Sequence, residues 1–373
     1  MKVLMISGDE LVLNTSSSVA KRVIEYGKTF GELDIALLIY PKLGDTELSP
    51  ETRVFVTHGK FLRFVRGWLR ARKLMKIKKY DTITAQDTER SFIAWLLSKE
   101  FGVPWQMQIH TDILSPYFSK HSFFDWLRVK LVKFLIPRAD GMRVVSQRIK
   151  DSILRTIDYG LSTKITVLPI FLDIIKVRNT PVKIDVHEKY GRDKFIILMP
   201  TRLNKEKNIG MALEAMKKLM KNNLSSLLLI IGDGPEKENL KLRTMNYGLS
   251  TNNVVFEDSV NFETLISYYK TADVYLLTSV YEGGARAPRE ALAAGLPVIM
   301  TDVAPANEDI IHEQNGLVIQ VGDSAELARQ LERLMIDPEF LARIKKGAEA
   351  SFPNPKTKED YLVRYKFLLQ NLN

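Results

Sequence analysis

SVYEGGARAPREALAAGLPVIMTD, residues 279–302, places two carboxylates, a glycine pair and a proline-led helix within a few turns of backbone. Pro288 suits a first helical position, which would put Glu290 in the first turn, and Gly295 followed by Pro297 stops the helix after a run of alanines. Glu282 then lies in the loop before it. The first turn of a helix leaves its N–H donors unpaired and carries partial positive charge, so both carboxylates and several free donors are expected to converge. Such a set suits a polyhydroxylated, phosphorylated ligand. Glu290 is also favoured there for local reasons, because an early acidic residue complements the helix dipole. The decision therefore rests on what surrounds the stretch.

Working outward, apolar runs recur along the whole chain. In the first half they are 3–7, 35–40, 54–57, 82–85, 106–110, 142–146 and 165–168; in the second, 195–199, 227–231, 254–256, 274–277, 298–301 and 317–319. They are apolar throughout and do not alternate, as strands buried on both faces do. Helical stretches such as 17–28 and 90–101 lie between them. Repeated strand, helix, strand order predicts two doubly wound parallel sheets. The polar segment 176–186, with Pro181, is expected to be the linker, dividing the chain into 1–176 and 177–355 with a terminal helical piece at 356–373. In open parallel sheets ligands bind beyond the carboxyl ends of strands, so residues that follow strands are the candidates.

Directly after the run 195–199 comes PTRLNKEKN, residues 200–208. Arg202 offers a planar fork and Lys207 a point charge, a pair suited to a diphosphate. Gly8 follows the first strand and His110 ends the run 106–110. Gly8 would permit close backbone approach by a ligand, or simply form a tight turn. Gly232-Asp233-Gly234-Pro235 reads as a strand-to-helix turn that supports the site.

The spacing Glu282-x7-Glu290, together with Arg202, Leu203, Lys207 and Asn208, resembles the signature of retaining nucleotide-sugar glycosyltransferases of the GT-B fold, in group 1, family 4. That resemblance implies two Rossmann-like domains facing a central crevice, with the last helix crossing back to the first domain. It also implies an N-terminal acceptor domain and a C-terminal donor domain. Arg202 and Lys207 would neutralise the diphosphate leaving group, Glu282 with Gly283 and Gly284 would hold the donor sugar, Glu290 the ribose, and His110 the sugar near the reacting carbon. Gly8 would join the donor site. The sequence departs from the family at Thr201, where glycine is usual, and at Gly284-Ala285, where Phe-Gly is usual; the second change removes a wall of the sugar pocket. No cofactor and no metal are implied, the nucleotide sugar being a substrate. Two rival readings stay open: a nucleotide-sugar epimerase on the same fold, and a non-catalytic protein binding nucleotide sugar or nucleic acid.

Composition bounds these readings. The chain has 373 residues, no cysteine, 45% hydrophobic and 26% charged residues, which fits two globular domains without disulfides or thiol nucleophile. Asp-x-Asp, H-E-x-x-H, phosphate-loop and G-x-G-x-x-G signatures are absent. Net charge is +10, and residues 59–80 hold nine Lys or Arg and no acid. There Phe61, Phe64, Val65, Trp68 and Leu69 interleave with the cations; a second segment, 118–138, carries His121, Phe123, Phe124 and Trp126. This composition fits a basic amphipathic surface on anionic lipid, or equally a helix packed by its apolar face. The expectation is a cytoplasmic enzyme, peripheral on the cytoplasmic face of the membrane, acting on a glycan or lipid-linked acceptor in cell-envelope polysaccharide or glycolipid synthesis. The first residues are too short an apolar run for a signal peptide.

Overall fold

The computed structural model describes residues 1–60, 62–120, 122–157, 163–222 and 224–372; Phe61 and His121 lie outside the described residues. The chain divides into two units, Met1–Pro169 with Lys356–Asn373, and Ile170–Pro355. The boundary falls ahead of the expected linker for a packing reason. Ile174–Asn179 is a helix whose Ile174 and Val177 enter the core of the second unit.

In the first unit β1 (Lys2–Ser7), β2 (Glu32–Ile39), β3 (Thr46–Ser49), β4 (Thr52–His58), β5 (Thr82–Gln86), β6 (Trp105–Ile109), β7 (Gly141–Val144) and β8 (Lys164–Val167) form one sheet. Their order is β3-β4-β2-β1-β5-β6-β7-β8, parallel except for the β3·β4 pair. Helices α1 (Ser18–Phe30), α2 (Arg63–Ile77), α3 (Thr88–Phe101) and α4 (Phe123–Leu135) connect strands. Strand order reverses between β1 and β5, so the carboxyl ends of those two strands flank the switch point where such sheets bind ligands.

The helix Lys358–Gln370 belongs to this unit and packs on α1. Its anchor is Tyr365, fully buried, with its ring edge-on to Tyr26 at 5.0 Å and Phe30 at 5.4 Å. Beneath it the buried Arg143 guanidinium donates to Gln108 Oε1 (2.9 Å), Leu168 O (3.1 Å) and Tyr361 Oη (2.8 Å). A second buried charge, Asp34 on β2, accepts from Arg53, Lys78 and Tyr80. Burial would raise its carboxyl, but those hydrogen bonds outweigh it and hold the group below the usual carboxylate range.

The second unit has β9 (Phe195–Pro200), β10 (Ser226–Ile231), β11 (Val254–Glu257), β12 (Val274–Leu277), β13 (Val298–Thr301) and β14 (Gly316–Ile319). They run parallel in the order β11-β10-β9-β12-β13-β14, with the switch point between β9 and β12. Side chains alternate across a strand, and β9 shows the result. Ile196 and Leu198 enter one apolar core, Ile197 and Met199 the other. Every strand expected from the sequence is present.

Candidate active site

The switch point of the second unit brings the two sequence motifs together. β9 runs into Thr201–Asn208 and β12 into the loop before the helix Arg286–Ala293. Thr278 Oγ1 donates to Lys207 O (2.8 Å) and Asn208 O (3.1 Å), and Val280 N donates to Glu206 O (2.9 Å). These bonds fix the loops side by side. Lys207 Nζ then pairs with Glu282 Oε1, which also accepts from Ser279 Oγ at 2.7 Å. Lys207 and Glu282 are only 14% and 13% exposed. Glu282 Oε2 and the other ammonium protons remain as donors and acceptors for a ligand. Arg202, on the same loop, is exposed and has no carboxylate partner among the described residues.

The helix that follows begins at Arg286, two residues before the expected Pro288 start, so Pro288 occupies the third helical position. The correction has a simple cause. No residue of the first turn needs its N–H for an intrahelical bond, so proline is tolerated throughout that turn. Glu290 therefore lies beyond the first turn and is largely buried, its Oε1 accepting from Arg286 Nη2 at 3.0 Å. Ala285, in the cap position, offers no side-chain acceptor, so the first-turn donors stay open beside Gly283 and Gly284. Beneath the carboxylates, burial followed by Glu282 and Glu290 pushes the Tyr275 hydroxyl well above its ordinary range.

The Gly232–Pro235 turn buttresses this site. Leu203 N donates to Asp233 O and Glu236 N to Leu203 O, both at 2.9 Å. Gly232 has φ 142°, and a Cβ there would stand 2.0 Å from Thr201 O. Gly232→Ala should therefore displace the Arg202 loop and lower stability by about 2 kcal/mol or more, read by urea melts.

The first unit holds a separate group at its own switch point. His110, Asp87, Glu89, Arg90, Thr111 and Arg128 line a pocket of about 250 Å³. Gly8 does permit a close approach, but by protein: a Cβ would meet Arg90 Nη2 at 1.6 Å, so Gly8 makes room for that guanidinium. His110 keeps some surface on the pocket, yet burial, then Arg143 and Arg22, push its imidazole down to about 3. It is a neutral hydrogen-bonding group at ordinary pH.

Sequence reasoning missed Asp87, Arg90, Ser279 and Arg286. The rule that functional residues follow strands would have found Asp87, which caps β5. Its backbone, φ 62° and ψ 179°, lies in a region essentially reserved for glycine. Asp87→Gly is expected to raise the stability of this unit by about 1 kcal/mol, strain relief exceeding the entropy cost of glycine. An unchanged or lowered urea midpoint would contradict it. Among the described residues no group of three or more His, Asp or Glu could hold a metal ion.

Comparison with known proteins places these units. The profile described as "Glycosyl transferases group 1" matches residues 182–351, and that described as "Glycosyltransferase Family 4" matches residues 31–175. Alpha-D-kanosaminyltransferase of Streptomyces kanamyceticus is 26% identical over 276 residues, 72% of this chain and 70% of that protein. The UDP-Gal:alpha-D-GlcNAc-diphosphoundecaprenol alpha-1,3-galactosyltransferase of Escherichia coli is 26% identical, over 71% of this chain and 69% of its own. Among solved structures, sucrose-phosphate synthase from Thermosynechococcus elongatus superposes with TM-score 0.83 at 18% identity, covering 100% of this chain and 99% of that one. Anabaena HepE in complex with UDP-glucose superposes with TM-score 0.73 at 18% identity, covering 100% and 98%.

Proposed function

The chain belongs to the group 1 glycosyltransferases of the GT-B fold, and on that premise we propose that it moves a sugar from a nucleoside-diphosphate donor to an acceptor hydroxyl with retention of anomeric configuration. The observation that carries this reading is the Lys207–Glu282–Ser279 cluster at the switch point between β9 and β12. A cation with spare donors and a carboxylate with a spare oxygen stand together where an open sheet binds its ligand. Lys207 and Arg202 neutralise the departing diphosphate, Glu282 Oε2 accepts from donor-sugar hydroxyls, and Glu290 accepts from the ribose. His110, held neutral, presents a hydrogen-bonding group in the pocket of the first unit without adding charge there.

In the reaction the bond from the anomeric carbon to the diphosphate oxygen breaks. The bond to the acceptor oxygen forms on the same face, and the acceptor proton passes to a diphosphate oxygen. Catalysis then comes from positioning and from stabilising charge on the leaving group, with no covalent nucleophile. The crystallised HepE complex with UDP-glucose supports a nucleotide-sugar donor, and the diphosphoundecaprenol galactosyltransferase supports a lipid-linked acceptor for cell-envelope polysaccharide or glycolipid synthesis. We place the enzyme at the cytoplasmic face of a membrane. No helix among the described residues is long and apolar enough to cross one.

The test is a thermal-shift panel of nucleoside diphosphates and nucleotide sugars. A ligand at 100 times its dissociation constant should stabilise by about 2.7 kcal/mol, and Lys207→Ala should abolish most of the response. A variant that responds as the parent does would remove Lys207 from the diphosphate site.

A further inference from the structure

The sequence left the basic, aromatic segments of the first unit between a lipid surface and a packed helix. The structure separates the residues that pack or pair from those that stay on the surface. Three of the nine cations in 59–80 are structural: Arg70 pairs with Asp45, Arg72 with Glu100, and Lys78 with Glu32 and Asp34. Gly67, Ala71 and Met75 are the buried face of α2. Lys60, Arg63, Arg66, Lys73, Lys76 and Lys79 make no ion pair among the described residues. They share the surface with Leu62, Val65, Leu69 and Ile77, all 49–75% exposed.

α4 is the stronger observation. A surface helix ordinarily turns its polar side to water. Here Phe123 is 69% exposed, Phe124 68%, Trp126 45% and Leu127 42%, and the cations beside them are Lys130, which lies over the Trp126 ring at 5.4 Å, and Lys133. In a parallel sheet the helices begin at the carboxyl edge, so the first turns of α2 and α4 lie on the edge that carries Asp87 and His110. The structure joins them there around one groove of about 450 Å³, walled by Tyr40, Phe64, Phe124, Leu127 and Leu131, with Lys60 and Arg63 on its rim. Arg63 stacks over Tyr40 (3.8 Å) and Phe64 (4.8 Å), so its charge is held at the groove mouth.

This apolar groove and the polar His110 pocket share one wall, the Glu89–Arg128 ion pair at 2.7 Å. A water-soluble sugar needs only the polar side. An amphiphile needs both, with a cationic rim between water and lipid. We propose that the acceptor is a membrane lipid: its apolar chain lies in the Tyr40–Phe124–Leu131 groove, its polar head enters the His110 pocket, and the unpaired cations of α2 and α4 seat the unit on an anionic bilayer. The proposal deepens, and rests on, the reading of the chain as a glycosyltransferase with a lipid-linked acceptor. Charge complementarity selects the occupant: the exposed Lys60, Arg66, Lys73, Lys76 and Lys79, unpaired among the described residues, give this unit a cationic surface, with Lys60 at the groove beside Phe124. That surface matches an anionic headgroup layer.

The experiment is flotation with phosphatidylglycerol-rich vesicles and with pure phosphatidylcholine vesicles, at low and high salt. Each protein is also assayed for its thermal shift with UDP and GDP. The parent should float with the anionic vesicles at low salt and be released by high salt. Lys60→Glu/Arg66→Glu should weaken vesicle binding about 25-fold or more, at roughly fivefold per lost cation. Phe123→Ser/Phe124→Ser should also lose flotation, and both variants should keep the parent's nucleotide response. A parent that responds to nucleotide but does not float overturns the proposal. If the phenylalanine variant floats as the parent does, the groove assignment falls. Absence of flotation together with a dimer that the phenylalanine variant dissolves would give the face to a second copy of this chain, again overturning it. Loss of every nucleotide response in the parent would instead sink the glycosyltransferase reading, whatever the vesicles show.

Discussion

Lys207→Ala is expected to lower kcat/KM for donor turnover by about 10²–10³ and to destabilise the second unit by about 3 kcal/mol. The two effects have different origins. The rate effect arises because the ammonium opposes charge that grows on the departing diphosphate, where a preorganised donor is worth most. The stability effect arises because Glu282, only 13% exposed, would keep its charge with Ser279 alone to hold it. The double variant Lys207→Ala/Glu282→Gln separates them. Removing the stranded charge should return stability to within about 1 kcal/mol of the parent, because a neutral amide is less costly to bury. Turnover should stay low, since neither the cation nor the carboxylate is restored. Urea melts and turnover of whichever nucleotide sugar gives the largest thermal shift would show this. If turnover recovered with stability, the pair would serve only the fold.

The sequence made the two sheets legible because their strands are buried on both faces and carry nearly continuous apolar runs. β3 escaped notice for the opposite reason: Thr46–Ser49 is a polar edge strand paired antiparallel with β4 on one side only. Ile174–Asn179 was hidden because six residues do not establish a helical period. The start of the Arg286 helix was misplaced because proline marks a first turn and not a particular position in it.

Within the site, identity was more legible than partnership. Arg202, Lys207 and Glu282 stand in loops after the strands of one unit, as the motifs imply, and Glu290 lies on the helix that follows but past its first turn. That Lys207 pairs with Glu282 across 75 residues, and Glu290 with Arg286, was not. A motif gives each residue a role toward a ligand, whereas burial forces charges to satisfy one another first. Charge counting met the same limit on residues 59–80, where Asp34, Asp45 and Glu100, remote in sequence, claim three of the cations.

Tyr365→Ala should cost the first unit about 4 kcal/mol and change its response to acid. The transfer and cavity terms come from a fully buried ring enclosed by Tyr26, Phe30 and Tyr361. The hydroxyl accepts from Gln108 Nε2 at 2.8 Å, so Tyr365→Phe should cost only about 1 kcal/mol. The acid response follows from what lies below the ring. Arg143 is 4.7 Å from its centre, and burial with the Arg143 charge depresses His110 to about 3, below its unfolded value of about 6.5. A depressed imidazole binds fewer protons folded than unfolded. Its contribution is therefore fully present above about pH 6.5 and is lost as pH falls from there toward 3. Removing Tyr365 opens the packing around Arg143 to water, screens its charge and lets His110 titrate closer to its ordinary value. Between pH 6.5 and 4 the parent should thus lose stability more steeply than Tyr365→Ala, while Tyr365→Phe keeps the parent's slope. Urea melts across that range, with the His110 ring shifts followed by NMR, would reveal the change. Equal slopes in all three proteins would mean that the C-terminal helix does not govern the proton on His110.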